Sequence, residues 1–549
     1  MRVLRRLIPL VVLLLALGLV AIVTVGCGGG GEEEEATSTP GGAGTPSASP
    51  QPGQAKAGGK LVARLWAEPT SFDPHTEQTP QSIIVFYACY DNLLKLRWDN
   101  RLPNPKPVAI EPNLAKSWEQ PDATTYIFHL NEGVKFQNVA PVNGREMTAE
   151  DVKYAFERIT TPQPQFVIRS LFADVTAIEA VDKYTVKFTL SAPNAPFLTS
   201  IASPWAMVVP KEVVDQKQEK TTPVGTGPFI MKSYKKGEGV TLQRNPDYFK
   251  KGQPLLDEVD LPIILDSATA LAAFRGGSTD IDRIGADNIE PVKRSNPKTI
   301  FYECGDPFRG QIDMNCTKPP FDDVRVRQAV MYATDPSEYI KTLFGGGGKQ
   351  SGPLGALTEW ALPDSELPQQ DIEKAKALLA EAGVTNLKIK NTVTAFPLGT
   401  SMAPITGDQL GKAGIDTEID TLEAAPWMLR VYFKSSAGPQ YQMASYQHYG
   451  YADPDGYIYN FYYSKGSENN TGYSNPTLDD LLDKERHELD PAKRKEYLLE
   501  AQRLLIQDAP SVFIFKPVNN VITQPYVKAW FPQPLFAGLG EFQEMWLDK

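Results

Sequence analysis

The hydrophobic positions of the chain fall into three regimes. Leu7 to Gly26 is an uninterrupted apolar run behind Arg2, Arg5 and Arg6. This is the layout of an export signal, and it is long enough to serve instead as an uncleaved membrane anchor. Gly28 to Gly59 holds no large apolar residue at all. Nothing there offsets the entropy of ordering the backbone, so a disordered tether is expected, spanning on the order of 30 Å root-mean-square. From Lys60 onward the pattern becomes regular. Leu61 to Trp66, Thr125 to Leu130, Thr299 to Cys304, Leu387 to Val393, Ile415 to Ile419 and Ser511 to Phe515 read as strands, rich in β-branched and aromatic residues and bounded by turn chemistry. Val175 to Leu190 reads as two strands around a turn at residues 181–183. Val152, Ala155, Phe156 and Ile159 fall on one helical face behind Thr148, a capping residue followed by acids. Helical spacing recurs over Ile83 to Leu96, Ala268 to Phe274, Val324 to Ala333, Asp371 to Ala382, Ala403 to Ala413, Leu478 to Leu489 and Pro491 to Gln507. Strands alternating with helices indicate an α/β body.

Composition narrows the picture. At 549 residues the chain exceeds what one core usually supports, so two or three packed units are expected. A formal net charge of −11 argues against a nucleic-acid partner, because phosphate binding needs a basic face. Four cysteines in this length are too few for a disulfide framework.

Candidate chemistry is thin. The histidines are His75, His129, His448 and His487, none in an HExxH pair, and no G-x-S-x-G elbow occurs. Gly225 and Gly227 lack a third glycine at dinucleotide spacing and precede Pro228, so they read as a tight turn. The glycines at 345–348 precede Lys349, but Gln350 stands where a phosphate loop needs Ser or Thr. Asp453-Pro-Asp-Gly456 lacks the remaining calcium-loop ligands and reads as a turn. Two carboxylates converging across a cleft, as a glycosidase requires, stay open at this point. The richest patch is Gln440 to Tyr463, with tyrosines denser than a core needs. Tyrosine offers flat apolar area with a polar handle, which suits a surface gripping varied ligands. The pocket reading covers Tyr446 to Asp453; from Tyr457 onward core packing is the better reading.

Several stretches carry a family resemblance: AEPTSFDPH, EPNLAKSWEQ, YIFHLNEGVKF and MTAEDVKYAFER, then GTGPF, RNPDYF, PPFDDVRVRQAVMYATD and DPDGY. Together they resemble the extracytoplasmic solute-binding proteins of ABC importers, in the peptide/nickel-type branch (family 5). The match runs in order over nearly all of Lys60 to Pro517. The resemblance implies an α/β, two-lobed periplasmic-binding-protein-like fold with a hinge and an inserted subdomain in the first lobe. It divides the chain into a lipoprotein signal peptide at 1–26, the tether at 27–59, a first lobe at 60–315 with its insert at about 105–219, a second lobe at 316–508, and a C-terminal return to the first lobe at 509–549.

It further implies a binding protein without catalysis or cofactor. Such a protein captures a small solute or short peptide and hands it to ABC permease subunits, as a monomer on the outer face of the cell membrane or in the periplasm. A secreted hydrolase on an α/β scaffold is the alternative. Cys27 would be the lipidated first residue of the mature chain, although Thr24 stands where lipoprotein signals usually carry leucine. The implied ligand-binding residues are Gln78 and Thr79 through their main chain, Trp427 as the cavity aromatic, and Tyr446, His448, Tyr449, Tyr451 and Asp453. Cys304 and Cys316 flank a segment longer than the family's usual connection, and in an oxidising location a disulfide between them is expected. Peptide-binding relatives place an aspartate three residues before the D-P pair to hold the ligand's α-amino group; here that position is Gly450.

Overall fold

The longest strand among those described, Ser511–Thr523, spans 13 residues and joins most of the second half of the chain to the first. A computed structural model of the protein describes residues 55–99, 106–163, 166, 168–306, 308–355, 357–432, 438–448, 450–530, 532 and 541–549. The expected signal peptide and most of the tether, with Cys27, lie outside them. The long strand is buried on both faces, which explains its near-continuous apolar run rather than an alternation. Its first half pairs antiparallel with Arg309–Met314, with Asp313 opposite Ser511. Residues 515–517 pair with Gly348–Gln350, and residues 518–523 with Ile300–Gly305 and Ile281–Ile284. The strand therefore runs well past the Phe515 at which apolar spacing ends it. Outward from Arg309–Met314 the sheet continues through Met443–His448, Leu387–Thr394 and Ile415–Leu422. The last two pair in parallel, and helix Pro397–Lys412 connects them.

Earlier in the chain two four-stranded sheets form. One is built on Lys60–Val62, which pairs in parallel with Glu258–Pro262 across a long sequence gap. The other is the antiparallel set Ala115–Asp122, Thr125–Leu130, Thr185–Leu190 and Val175–Asp182. Helix Ala149–Thr160 covers this second sheet. Thr148 and Asp151 close a capping box at its start, and Arg145 binds both Asp151 and Glu212. Its Phe156 ring meets Phe188 at 5.1 Å and Phe172 at 5.5 Å, both edge-on. Burying each such ring contributes on the order of 2–3 kcal/mol.

Two expectations fail here for physical reasons. The helix predicted over Ile83 to Leu96 ends at Cys89, and Leu94–Asp99 is a strand. Asp91 and Asn92 break it: the Asp91 carboxylate accepts from Thr226, Asn113 and Tyr248, and the Asn92 amide donates to the Ser203 carbonyl. The Cys304–Cys316 disulfide is also absent, for both are free thiols. Cys304 stands opposite Asn519, whereas Cys316 lies beyond the pairing of Asp313 with Ser511. The two residues flank opposite ends of one extended strand, roughly 25 Å or more apart at about 3.3 Å per residue, far beyond disulfide reach.

The glycine pair is a place of close backbone approach. A Cβ on Gly227 would sit 2.4 Å from the carbonyl carbon of Cys89 and 2.6 Å from the Tyr90 nitrogen. The Gly227 N–H donates to the Cys89 carbonyl at 3.0 Å. Gly227→Ala is therefore expected to lower stability by about 1–3 kcal/mol in urea unfolding, and a variant as stable as wild type would contradict this packing. Peptide mapping without reductant is expected to recover Cys304 and Cys316 as free thiols; a crosslinked peptide would overturn the strand register.

Candidate functional site

The site begins at a turn that is fixed by buried charge. Asp73 is fully buried and receives a bidentate pair of hydrogen bonds from Arg158, at 2.9 and 2.7 Å. Arg158 also donates to His75 Nδ1 at 2.7 Å, and His75 Nε2 donates to the Met207 carbonyl at 2.9 Å. This arrangement requires a neutral imidazole. Burial, with Arg158 beside it, pushes the His75 pKa down to about 4. The anchored turn delivers Glu77, Gln78 and Thr79 to the start of helix Pro80–Cys89. Both expected main-chain donors point at one oxygen there: Glu77 Oε1 accepts from the Gln78 N–H at 2.9 Å and the Thr79 N–H at 2.7 Å. The Glu77 carbonyl accepts from the Trp205 indole at 3.0 Å.

The facing wall comes from strand Met443–His448 and the residues after it. Tyr446 and His448 share one face and are 1% and 0% exposed. Trp427 packs on Tyr446 at 5.1 Å, and the His448 ring sits 4.1 Å from Phe461. The indole N–H of Trp427 meets no acceptor among the described residues. The Tyr446 hydroxyl donates to Asp313 at 2.6 Å, and Gln311 and Ser511 donate to the same carboxylate. Tyr451 lies 5.9 Å from Trp205 and 6.0 Å from Tyr457, ring to ring. Tyr449 lies outside the described residues. Asp453 caps helix Pro454–Tyr462 and is held by Arg494 at 2.9 and 2.5 Å. Arg494 also binds Glu485, and Asp455 is paired with Arg486.

A cavity of about 790 Å³ has Trp66, Pro80, Arg283, Phe344, Gln447 and Asn519 in its lining, and none of the described residues expected to bind ligand lines it. Pro80 directly follows Gln78 and Thr79. Gln447 projects between Tyr446 and His448 to the opposite face of the strand, as its period of two requires. Sequence reasoning chose the two aromatics and passed over the glutamine between them. Trp66 and Arg283 were also missed; the guanidinium lies 4.6 Å over the indole ring. The buried carboxylates of the lining lie near arginines, although Asp282 Oδ2 meets no hydrogen-bond partner among the described residues. Asp282 pairs with Arg64 at 3.3 Å, and Asp306 accepts from Asn519 at 3.0 Å with Arg283 at 3.8 Å. Burial pushes both carboxyls up. Among the described residues no cluster of three or more His, Cys, Asp or Glu side chains is placed to hold a metal ion.

Residues 109–469 match the family model for bacterial extracellular solute-binding proteins, family 5. The chain belongs to this family. As a family-5 solute-binding protein it is similar to the di/tripeptide-binding protein 2 of Pseudomonas aeruginosa, 28% identical over 482 residues that cover 81% of this chain and 88% of the relative. Its fold matches the periplasmic binding protein DppA of Helicobacter pylori in complex with the peptide STSA, with a TM-score of 0.78 and 26% identity over 90% of this chain and 99% of that one. It also matches AgaA of A. tumefaciens R10 in complex with agropinic acid, with a TM-score of 0.76 and 26% identity over 89% and 99%. The two-lobed α/β architecture is that of these solute-binding proteins, whose members are extracytoplasmic. No described helix is long and apolar enough to cross a membrane.

The neutral His75 makes the turn sensitive to acid. In the unfolded chain the imidazole takes up its proton near pH 6.5, but in the folded protein only near pH 4. The stability held at neutral pH is lost as pH falls through that window. The stability difference between wild type and His75→Gln is expected to shrink by about 2–3 kcal/mol between pH 7 and pH 4.5, measured by urea unfolding. A constant difference would place the buried proton elsewhere.

Proposed function

We propose that this solute-binding protein encloses a peptide-like or other polar organic solute between its lobes and presents it, chemically unchanged, to an ABC permease. The observation that carries the reading is the 790 Å³ cavity, with the segment after Gln78 and Thr79 on one side and strand Met443–His448 on the other. Its size is that of a small-molecule site. Gln78, Thr79, Trp427, Tyr446, His448, Tyr449, Tyr451 and Asp453 are assigned to the surroundings of this solute, with Gln447 added. In this reading the mature protein is a monomer tethered through a lipid on Cys27, and it catalyses nothing. Native mass spectrometry of the purified protein tests it: a retained small molecule of unaltered mass is expected, and turnover of an offered ligand would favour the hydrolase alternative.

The charges also bear on which solute is bound. A buried ammonium needs an anionic partner, since otherwise its desolvation goes uncompensated. Gly450 offers none, and Asp453 is locked to Arg494. In the cavity Asp306 lies 3.8 Å from Arg283 and Asp282 pairs with Arg64 at 3.3 Å, which leaves Asp282 Oδ2 and the Asp287 carboxylate without an ion pair among the described residues. With glycine at position 450, the solute we favour is one whose recognition does not depend on a free α-ammonium: a blocked or cyclic peptide, a sugar or another polar organic molecule. Calorimetry with matched free and N-acetylated peptides is expected to show affinities within about tenfold of each other, or ~1.4 kcal/mol. A larger loss on acetylation would reveal an anionic amine site.

A further inference from the structure

A second cavity, of about 470 Å³, abuts the long strand and shares Pro517 and Val518 with the solute cleft. Three lysines converge on it: Lys349, Lys495 and Lys516. Lys349 and Lys516 are direct cross-strand partners in the antiparallel pairing of Gly348–Gln350 with the long strand. Like charges placed opposite one another disfavour the pairing. Lys495 comes from helix Pro491–Asp508 on another side. None of the three ammonium groups has a hydrogen-bond or ion-pair partner among the described residues. Asp364 is the one carboxylate in the lining. Some surface lysines are instead paired within their own helices, as Lys376 is with Glu373 and Lys484 with Asp480. Burial holds the Lys516 ammonium below the usual lysine range; Lys349 adds to this and Asp364 opposes it.

A concave site of one sign, with low-dielectric walls, focuses its field on an incoming counter-charge. We propose that this cavity binds a small oxyanion carrying two or more negative charges, of the polycarboxylate or phosphate class. The anion would bridge Lys349 and Lys516 and so turn a repulsive pair into an attractive triad. The site is separate from the solute cleft, and the variants that test it leave Arg283 and Lys341 of the cleft intact.

The probes are citrate and inorganic phosphate, compared with chloride at matched ionic strength by thermal unfolding and calorimetric titration of the full chain. Either probe is expected to raise the Tm of the wild type, and its affinity is expected to fall about tenfold in Lys516→Gln and in Lys349→Gln. In chloride alone, Lys349→Gln is expected to be at least as stable as wild type, because the like-charge pair is relieved; a lysine serving only as structure would lower stability instead. An unchanged wild-type Tm with both probes, or equal responses in wild type and both variants, would overturn the proposal. Should Lys516→Gln fail to fold, the exposed Lys349 carries the test.

Discussion

The pairing of one strand with four others sets the geometry of the whole body. Ser511–Thr523 gives its first residues to Arg309–Met314 and its last to Ile281–Ile284 and Ile300–Gly305. Backbone hydrogen bonds buried on both faces cannot be exchanged for water, so each segment of the strand is committed to its partner. The large cavity lies against this strand: residues 517–520 line it, together with Asp306 and Phe308.

Charge anchors the turn before helix Pro80–Cys89 and the start of helix Pro454–Tyr462. Asp73 with Arg158, Asp453 with Arg494 and Asp455 with Arg486 are buried, bidentate pairs. Removing one partner of such a pair strands the other without water, at a cost of several kcal/mol. These pairs hold the turn before Gln78 and the start of helix Pro454–Tyr462 in place. The cavity lining carries aromatic rings, amides and charges, some matched, as Asp282 is with Arg64, and some, Asp287 and Lys341, without an ion pair among the described residues. That is the surface of a protein that grips and releases.

Much of this was legible in the sequence, and the exceptions have physical causes. Helix Ala149–Thr160 announced itself because its cap, first-turn acids and apolar face agree. The order of strands and helices was readable from period alone. The far half of the long strand was not, because the polar pair Asn519 and Asn520 interrupts its apolar run while pairing the backbone normally. Tyr446 and His448 stood out through composition, but their rings pack against Trp427 and Phe461 and do not line the cavity. Gln447 was missed because nothing in a sequence says which face of a doubly covered strand meets a cavity. The cysteines looked close in sequence, but an extended chain carries its residues apart.

The parallel pairing of Lys60–Val62 with Glu258–Pro262, and the return of the C-terminus beside it, also set a timetable for the chain. Tyr526 donates to Asp280 at 2.6 Å, and Lys56 meets Asp548 at 2.6 Å. Strand Ile281–Ile284 has its antiparallel partner only in Thr523 and the residues before it. A chain emerging from its N-terminus therefore cannot finish its first half until its last forty or so residues have arrived. Contacts this distant in sequence make folding slow. For a protein whose family works beyond the cytoplasmic membrane, slowness has a use: the chain stays threadable for as long as it is still being exported.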